Sequence, residues 1–267
     1  MGLLQLFVDA QCAVCHEVGT PLCRVCERAI RRRYLGVPAD QRMASQNLPR
    51  LRDQLSDRSR EQPPRNAGVE LGLPVYAAAK YEAEIQQLVL ATKRSGHPRL
   101  VSLLAALATD VVASAAQTLA LRGLLILVPL HSGRATRTAT GSDLVLVLAR
   151  QTARALRRRG QRAVVADLLQ TRPSRQTQKG LGRGERERNA SHKYRVARNR
   201  CRQGALILFD DVMTTGASMR AADRAMTSAE RTPVAAAVVA HRLSPIERTG
   251  ALTLTLAALE AARGPRP

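Results

Sequence analysis

A chain of 267 residues is long enough for one large domain or two small ones with a buried core. Its 45% hydrophobic and 24% charged residues make a globular composition and exclude a disordered one. The formal net charge of +21 points to a polyanionic partner, while 2% aromatic residues and no Trp argue against a platform that stacks single-stranded bases.

The charge also has a bland source. Lys80, Lys93, Lys179 and Lys193 are the only lysines, and so strong an Arg bias can follow from genome base composition. Met1–Ala10 is mildly apolar but has no basic start and carries Asp9, which reads against a secretory signal. The Ala- and Leu-rich stretch Leu100–Leu121 is interrupted by Asp110, Gln117 and Thr118, so no transmembrane span is expected. A soluble, cytoplasmic protein is the reading that follows.

Cys12, Cys15, Cys23 and Cys26 form two C-x-x-C pairs joined by seven residues. Each pair turns two thiolates toward one point, and the short link lets both close a tetrahedral four-sulfur site for structural zinc. Reduced cytosolic thiols favour metal over disulfide. His16 is an alternative ligand that four cysteines make unnecessary, and Cys201 is left over. A short helix is expected from near Cys23, with Arg28, Arg31, Arg32 and Arg33 at its solvated end. Residues 1–36 therefore read as a zinc knuckle. Residues 37–75, broken by Pro38, Pro49, Pro63, Pro64 and Gly68, read as a linker or poorly ordered insertion.

Residues 76–267 read as an α/β domain. A helical pattern begins near Ala78, with Tyr81, Ile85, Leu88 and Val89 at helical spacing, and Gly96-His97-Pro98 ends it. A second helix is expected from about Leu100. Leu124–Leu130 is an apolar run of strand length, as in a parallel sheet covered on both faces. Gly141–Arg159 reads as a helix, Ala163–Leu169 as a strand, Ala205–Phe209 as a strand, Gly216–Ala229 as a helix and Val234–Ala240 as a strand. This alternation predicts a parallel sheet flanked by helices. Between residues 171 and 202 eleven basic residues face only Glu185 and Glu187, a local charge of +9. That segment is either a solvated loop or a mobile cationic lid.

The chemistry concentrates in Leu206–Ser218. An apolar strand ends in Asp210-Asp211, two apolar residues follow, and Thr214-Thr215-Gly216-Ala217-Ser218 opens a helix. Open α/β sheets bind ligands at the carboxyl ends of their strands. Paired carboxylates can accept hydrogen bonds from a ribose diol, directly or across Mg²⁺. Hydroxyls and free N–H groups at a helix N-terminus favour a phosphate, and Gly216 allows close backbone approach. The segment reads as a cradle for a ribose 5-phosphate; the alternative is ordinary loop acids beside ordinary helix caps.

Residues 206–218 resemble the phosphoribosyl pyrophosphate (PRPP) motif of type I phosphoribosyltransferases. The wider chain resembles one branch of them, the ComF family of competence-associated proteins. The points of likeness are the double C-x-x-C knuckle, a helical stretch carrying a lysine (Lys93), the strand end Val128-Pro129-Leu130-His131 followed by Arg134 and Arg137, and a segment with Gln178, Leu181, Glu185, Arg186 and Asn189. The chain departs from the family in Arg137–Asp143, where only Gly141 and Asp143 look equivalent. The resemblance implies that Asp210 and Asp211 bind the ribose hydroxyls, with or without Mg²⁺. It implies that Thr214, Thr215, Gly216, Ala217 and Ser218 hold the 5-phosphate, and that Leu130, His131, Ser132 and Arg134 meet pyrophosphate. Gln178, Lys179, Arg183, Arg186 and Asn189 would belong to a mobile hood. The activity implied is displacement of pyrophosphate by an acceptor that this sequence does not specify. Some members of the superfamily keep the cradle as regulators without transfer. The ComF likeness equally implies an accessory role in DNA uptake, with single-stranded DNA, a helicase-like motor or recombination proteins as partners.

Overall fold

The computed structural model describes residues 11–37, 73–130, 143–171, 194–197 and 202–242. At the N-terminal end a turn held by the Gln11–Val18 bridge leads into helix α1 (Arg24–Tyr34). The body runs β1 (Val75–Lys80), α2 (Ala83–Ser95), α3 (Pro98–Thr118), β2 (Leu125–Pro129), α4 (Leu144–Arg158) and β3 (Ala163–Val165). It continues with β4 (Leu169–Thr171), β5 (Tyr194–Val196), β6 (Ala205–Met213), α5 (Ala217–Thr227) and β7 (Ala235–His241).

Five strands form a parallel sheet in the order β1-β7-β6-β2-β3. The expected α/β class with a parallel sheet flanked by helices is what the chain adopts. β2 and most of β7 read as apolar runs because both faces are covered: every residue of β2 and β7 is buried. On one face lie α2, α3 and α4, packed on Leu125, Leu127, Ile207, Phe209 and Val239. On the other lie α5 and the β4–β5 ribbon, packed on Ile126, Val128, Leu208 and Val238. The alternation of neighbours between faces is the period-two geometry of a strand.

Helix α3 is the centre of the first face. Most of its 21 residues are buried, because it is covered by the sheet on one side and by neighbouring helices and the knuckle on the others. By length and composition it is apolar enough to cross a membrane, yet 67% of its most apolar window is buried inside the fold. That is the signature of a core helix.

The structure revises three boundaries. Val75–Lys80 is a strand, where the sequence suggests the end of a linker and the start of a helix. Ala77, Ala78 and Ala79 favour helix locally, but pairing with β7 (Val75↔Ala236 through Lys80↔His241) imposes the extended form. Leu73 is already fully buried. The strand expected over Ala163–Leu169 ends at Val165. The chain then leaves the sheet, and Leu169–Thr171 pairs antiparallel with Tyr194–Val196. Finally, β6 continues to Met213, so the acid pair lies inside the strand and not beyond it.

Candidate ribose-phosphate site and metal centre

The direction of the chain reverses at the middle of the sheet. From β2 it passes through α4 to β3 on one side, whereas from β6 it passes through α5 to β7 on the other. The carboxyl ends of β2 and β6 thus flank a topological switch point, the place where open α/β sheets form a ligand crevice. β2 stops at Pro129, opposite Phe209, while β6 runs on with β7 through Met213. Among the described residues, Asp210–Met213 consequently have no strand partner on the β2 side. Leu130, the next residue after β2, donates its N–H to the Phe209 carbonyl at 2.8 Å and buries its side chain in the α5-side core.

Asp210 and Asp211 lie at this step, pointing to opposite faces as consecutive strand residues must. Asp211 turns toward α2. It is 4% exposed, and its Oδ2 meets the Lys93 Nζ at 2.6 Å. Asp210 is half-buried; its Oδ1 accepts the Asp211 N–H at 2.8 Å. Burial pushes the Asp210 carboxyl well above the usual carboxylate range, and the neighbouring Asp211 charge adds to this. The Asp211 N–H and Lys93 oppose the rise without cancelling it. The two acids are therefore unequal: Asp211 is paired directly with a lysine, and Asp210 holds its proton to higher pH.

The turn after β6 is built for close approach. Gly216 is buried, has φ of +71°, and caps α5, while its carbonyl accepts the Arg220 N–H. Thr214 and Thr215 are exposed, and Thr215 Oγ1 accepts the Ala217 N–H at 3.4 Å. The first turn of α5 follows closely on the acid pair, and the N-terminal end of a helix favours an anion. Tyr194, buried on β5, shares a hydrogen bond with Ser218 and feels the charges of Asp210 and Asp143. Burial, aided by those carboxylates, pushes its phenol far above its ordinary range.

Tyr194 was not among the residues that the motif singled out. Its signal was weak: one of few aromatics, inside a basic stretch. Lys93 was matched to a family position but had no role until the fold brought α2 against β6. Asp143 supplies the N-cap of α4, accepting the Leu146 N–H at 3.2 Å. His131, Ser132 and Arg134, and Gln178, Lys179, Arg183, Arg186 and Asn189, lie outside the described residues, as does Cys201. Within the basic segment, Thr171 at its start pairs with Tyr194 across the β4–β5 ribbon.

The second candidate centre is the cysteine cluster. The sulfurs of Cys12, Cys15, Cys23 and Cys26 all lie within 4.8 Å of one another, with no disulfide. Cys15 and Cys23 are 3.7 Å apart. Tetrahedral ligation with Zn–S bonds of ~2.3 Å sets sulfurs about 3.8 Å apart, so the spacing suits a bound metal ion. The Cys23 N–H donates to Cys12 Sγ and the Cys26 N–H to Cys23 Sγ, each at 3.4 Å. Burial pushes the Cys12 thiol up, but backbone N–H groups aimed at its sulfur prevail and lower it to about 6. Burial and the neighbouring sulfurs push Cys26 far up. Four thiolates repel one another in the absence of a cation, and a divalent ion removes that repulsion. His16 is exposed, at φ of +62°, and takes no part in the four-sulfur set.

The cluster is joined to the body. Cys12, Leu22, Cys23 and Ile30 belong to the same core as α2–α4. Glu27 pairs with Arg99 at 3.0 Å, Arg33 pairs with Glu84 at 3.0 Å, and the Tyr34 hydroxyl donates to Glu84 at 2.9 Å. No protein-family model matches the chain, and no curated protein matches it.

Proposed function

We propose that this chain is a ComF-like protein of the type I phosphoribosyltransferase kind that binds PRPP or a ribose 5-phosphate at the β6–α5 turn. One observation carries the reading. The acid pair and the Thr214–Ser218 turn follow one another at the carboxyl end of β6, where the sheet reverses direction. The two parts have the order of the ligand's own groups, a diol and a phosphate joined by a short carbon chain.

In this reading Asp211, fixed by Lys93, accepts from a ribose hydroxyl. Asp210, the more weakly ionised acid, meets the second hydroxyl as acceptor or donor. The N–H groups of the first turn of α5 and the hydroxyls of Thr214, Thr215 and Ser218 surround the 5-phosphate. Ser218 exchanges its bond to Tyr194 for one to the ligand. Mg²⁺ would arrive with the pyrophosphate of PRPP and reduce its charge, and Asp210, which has no direct ion pair among the described residues, is the residue that would hold it. Pyrophosphate leaves the anomeric carbon as an acceptor nucleophile bonds to it, and cations near the leaving group favour that step. The +9 of residues 171–202 is a supply of such cations. The cysteine cluster is assigned structural zinc on its four-sulfur donor set.

Thermal unfolding with Mg²⁺–PRPP and with ribose 5-phosphate tests the proposal. A ligand present at a hundred times its Kd stabilises by ~2.7 kcal/mol. A clear rise in Tm is expected, and Asp210→Asn together with Asp211→Asn removes it. No rise at millimolar ligand overturns the proposal.

A further inference from the structure

A second basic feature shares no residue with the β6–α5 turn. Residues of helices α3 and α4, with Arg31 of α1, line a cleft of about 410 Å³. The floor is made of small residues of α3, among them Ser102, Ala105 and Ala106. Spacings of three and four set these on one face of the helix, and their size gives the cleft its depth. Arg154 and Arg158 stand on the α4 wall one turn apart, with Arg159 beside them.

The charge is not neutralised locally. Arg31 is held at 3.0 Å by Glu27, which also serves Arg99. Arg159 is 3.7 Å from Asp110, a loose contact, and that carboxylate already accepts the Gly36 N–H at 2.8 Å. Arg154 and Arg158 have no acidic partner among the described residues, and both are exposed. Four guanidiniums thus face two shared carboxylates. Planar, always-charged guanidiniums bind phosphate oxygens in pairs. The volume is of small-molecule size. Among the described residues no aromatic side chain lines the cleft, so no ring is offered for a base to stack on.

We propose that the cleft between α3 and α4 binds a short phosphate chain, free or carried on a nucleotide, through Arg31, Arg154, Arg158 and Arg159. The site is separate from the β6–α5 turn and does not depend on what that turn binds. Arg31 lies on the helix that Cys23 caps, so phosphate binding also clamps the cysteine cluster to the body.

The test is calorimetric titration of the full chain at physiological salt with tripolyphosphate and with ATP. Arg154→Glu with Arg158→Glu should weaken tripolyphosphate binding at least tenfold. Arg24→Glu with Arg28→Glu, an equal charge change on exposed residues outside the cleft, should leave it within twofold. Equal affinity for ATP and tripolyphosphate assigns recognition to the phosphates alone; tighter ATP binding that is still lost in the Arg154/Arg158 variant assigns a nucleotide source. The proposal is overturned if the native chain binds neither probe or if both double variants lose affinity equally. It is also overturned if saturating ribose 5-phosphate displaces tripolyphosphate, or if an oligothymidylate binds these arginines and tripolyphosphate does not compete.

Discussion

Lys93→Met isolates the interaction on which the acid pair depends. The substitution keeps the length and the apolar stem of the side chain, and removes the cation 2.6 Å from Asp211 Oδ2. What remains is a carboxylate whose side chain is 6% exposed, next to a second acid. Removing one partner of a buried ion pair costs ~3–5 kcal/mol, mostly through the uncompensated charge left behind. Lys93 is 31% exposed, so water softens the loss, and the low end of that range, about 3 kcal/mol, is expected. For a chain of this size it corresponds to a fall in Tm of about 6–10 °C. Lys93→Met combined with Asp211→Asn removes both charges and should recover most of the loss, because a buried pair replaced as a whole is close to neutral. Urea unfolding at neutral pH of the native chain, both single variants and the double variant gives the coupling energy directly. If Lys93→Met unfolds within ~0.5 kcal/mol of the native chain, or the double variant is no more stable than Lys93→Met, the pair does not hold Asp211 and the reasoning fails.

Asp210 should give a pH signature of opposite sign from an ordinary ion-paired acid. Its folded-state value is raised, so the stability that it contributes is complete below about pH 4 and is lost as pH climbs through the raised value. Asp210→Asn should flatten this decline and leave the protein more stable at neutral pH; unchanged pH dependence in melts from pH 4 to 8 would contradict the assignment. Gly216→Ala places a Cβ at φ of +71° and should cost about 1 kcal/mol by chemical denaturation. A neutral or stabilising result would mean that the turn relaxes out of the left-handed region. Purified protein should carry one zinc per chain by elemental analysis, and chelation should lower Tm and make the cluster's thiols reactive. Absence of metal, with thiol reactivity the same before and after chelation, refutes the assignment.

Much of the architecture is legible in local pattern. β2, the first half of β6 and most of β7 are apolar runs of strand length, and the amphipathic spacing of α4 and α5 is clear, because a sheet covered on both faces and a helix covered on one leave those signatures. Gly96 marks a helix end through backbone chemistry, as a left-handed cap, whereas the helix read from Gly141 starts at Leu144, where the Asp143 side chain caps it. The acid pair and the Thr-Thr-Gly-x-Ser turn were readable for the same reason, since each is a contiguous device whose geometry is set within a few residues. The four cysteines are nearly so, because their spacing alone bounds the distances between sulfurs.

Contacts between distant segments were not legible. The Ala-rich β1 is a strand only because β7 offers it a ladder, and local propensity points the other way. The early end of β3 depends on the competing antiparallel partner that β5 supplies to Leu169–Thr171. The same holds for function. By itself the sequence determined which groups can bind a diol, a phosphate or a metal ion, because those capacities reside in single side chains and short backbone turns. Only the tertiary structure decided that Lys93 pairs directly with Asp211, that Tyr194 reaches Ser218, and that arginines from α1 and α4 share one cleft. Each of these joins residues far apart in the chain, and such distances are set by how the layers pack.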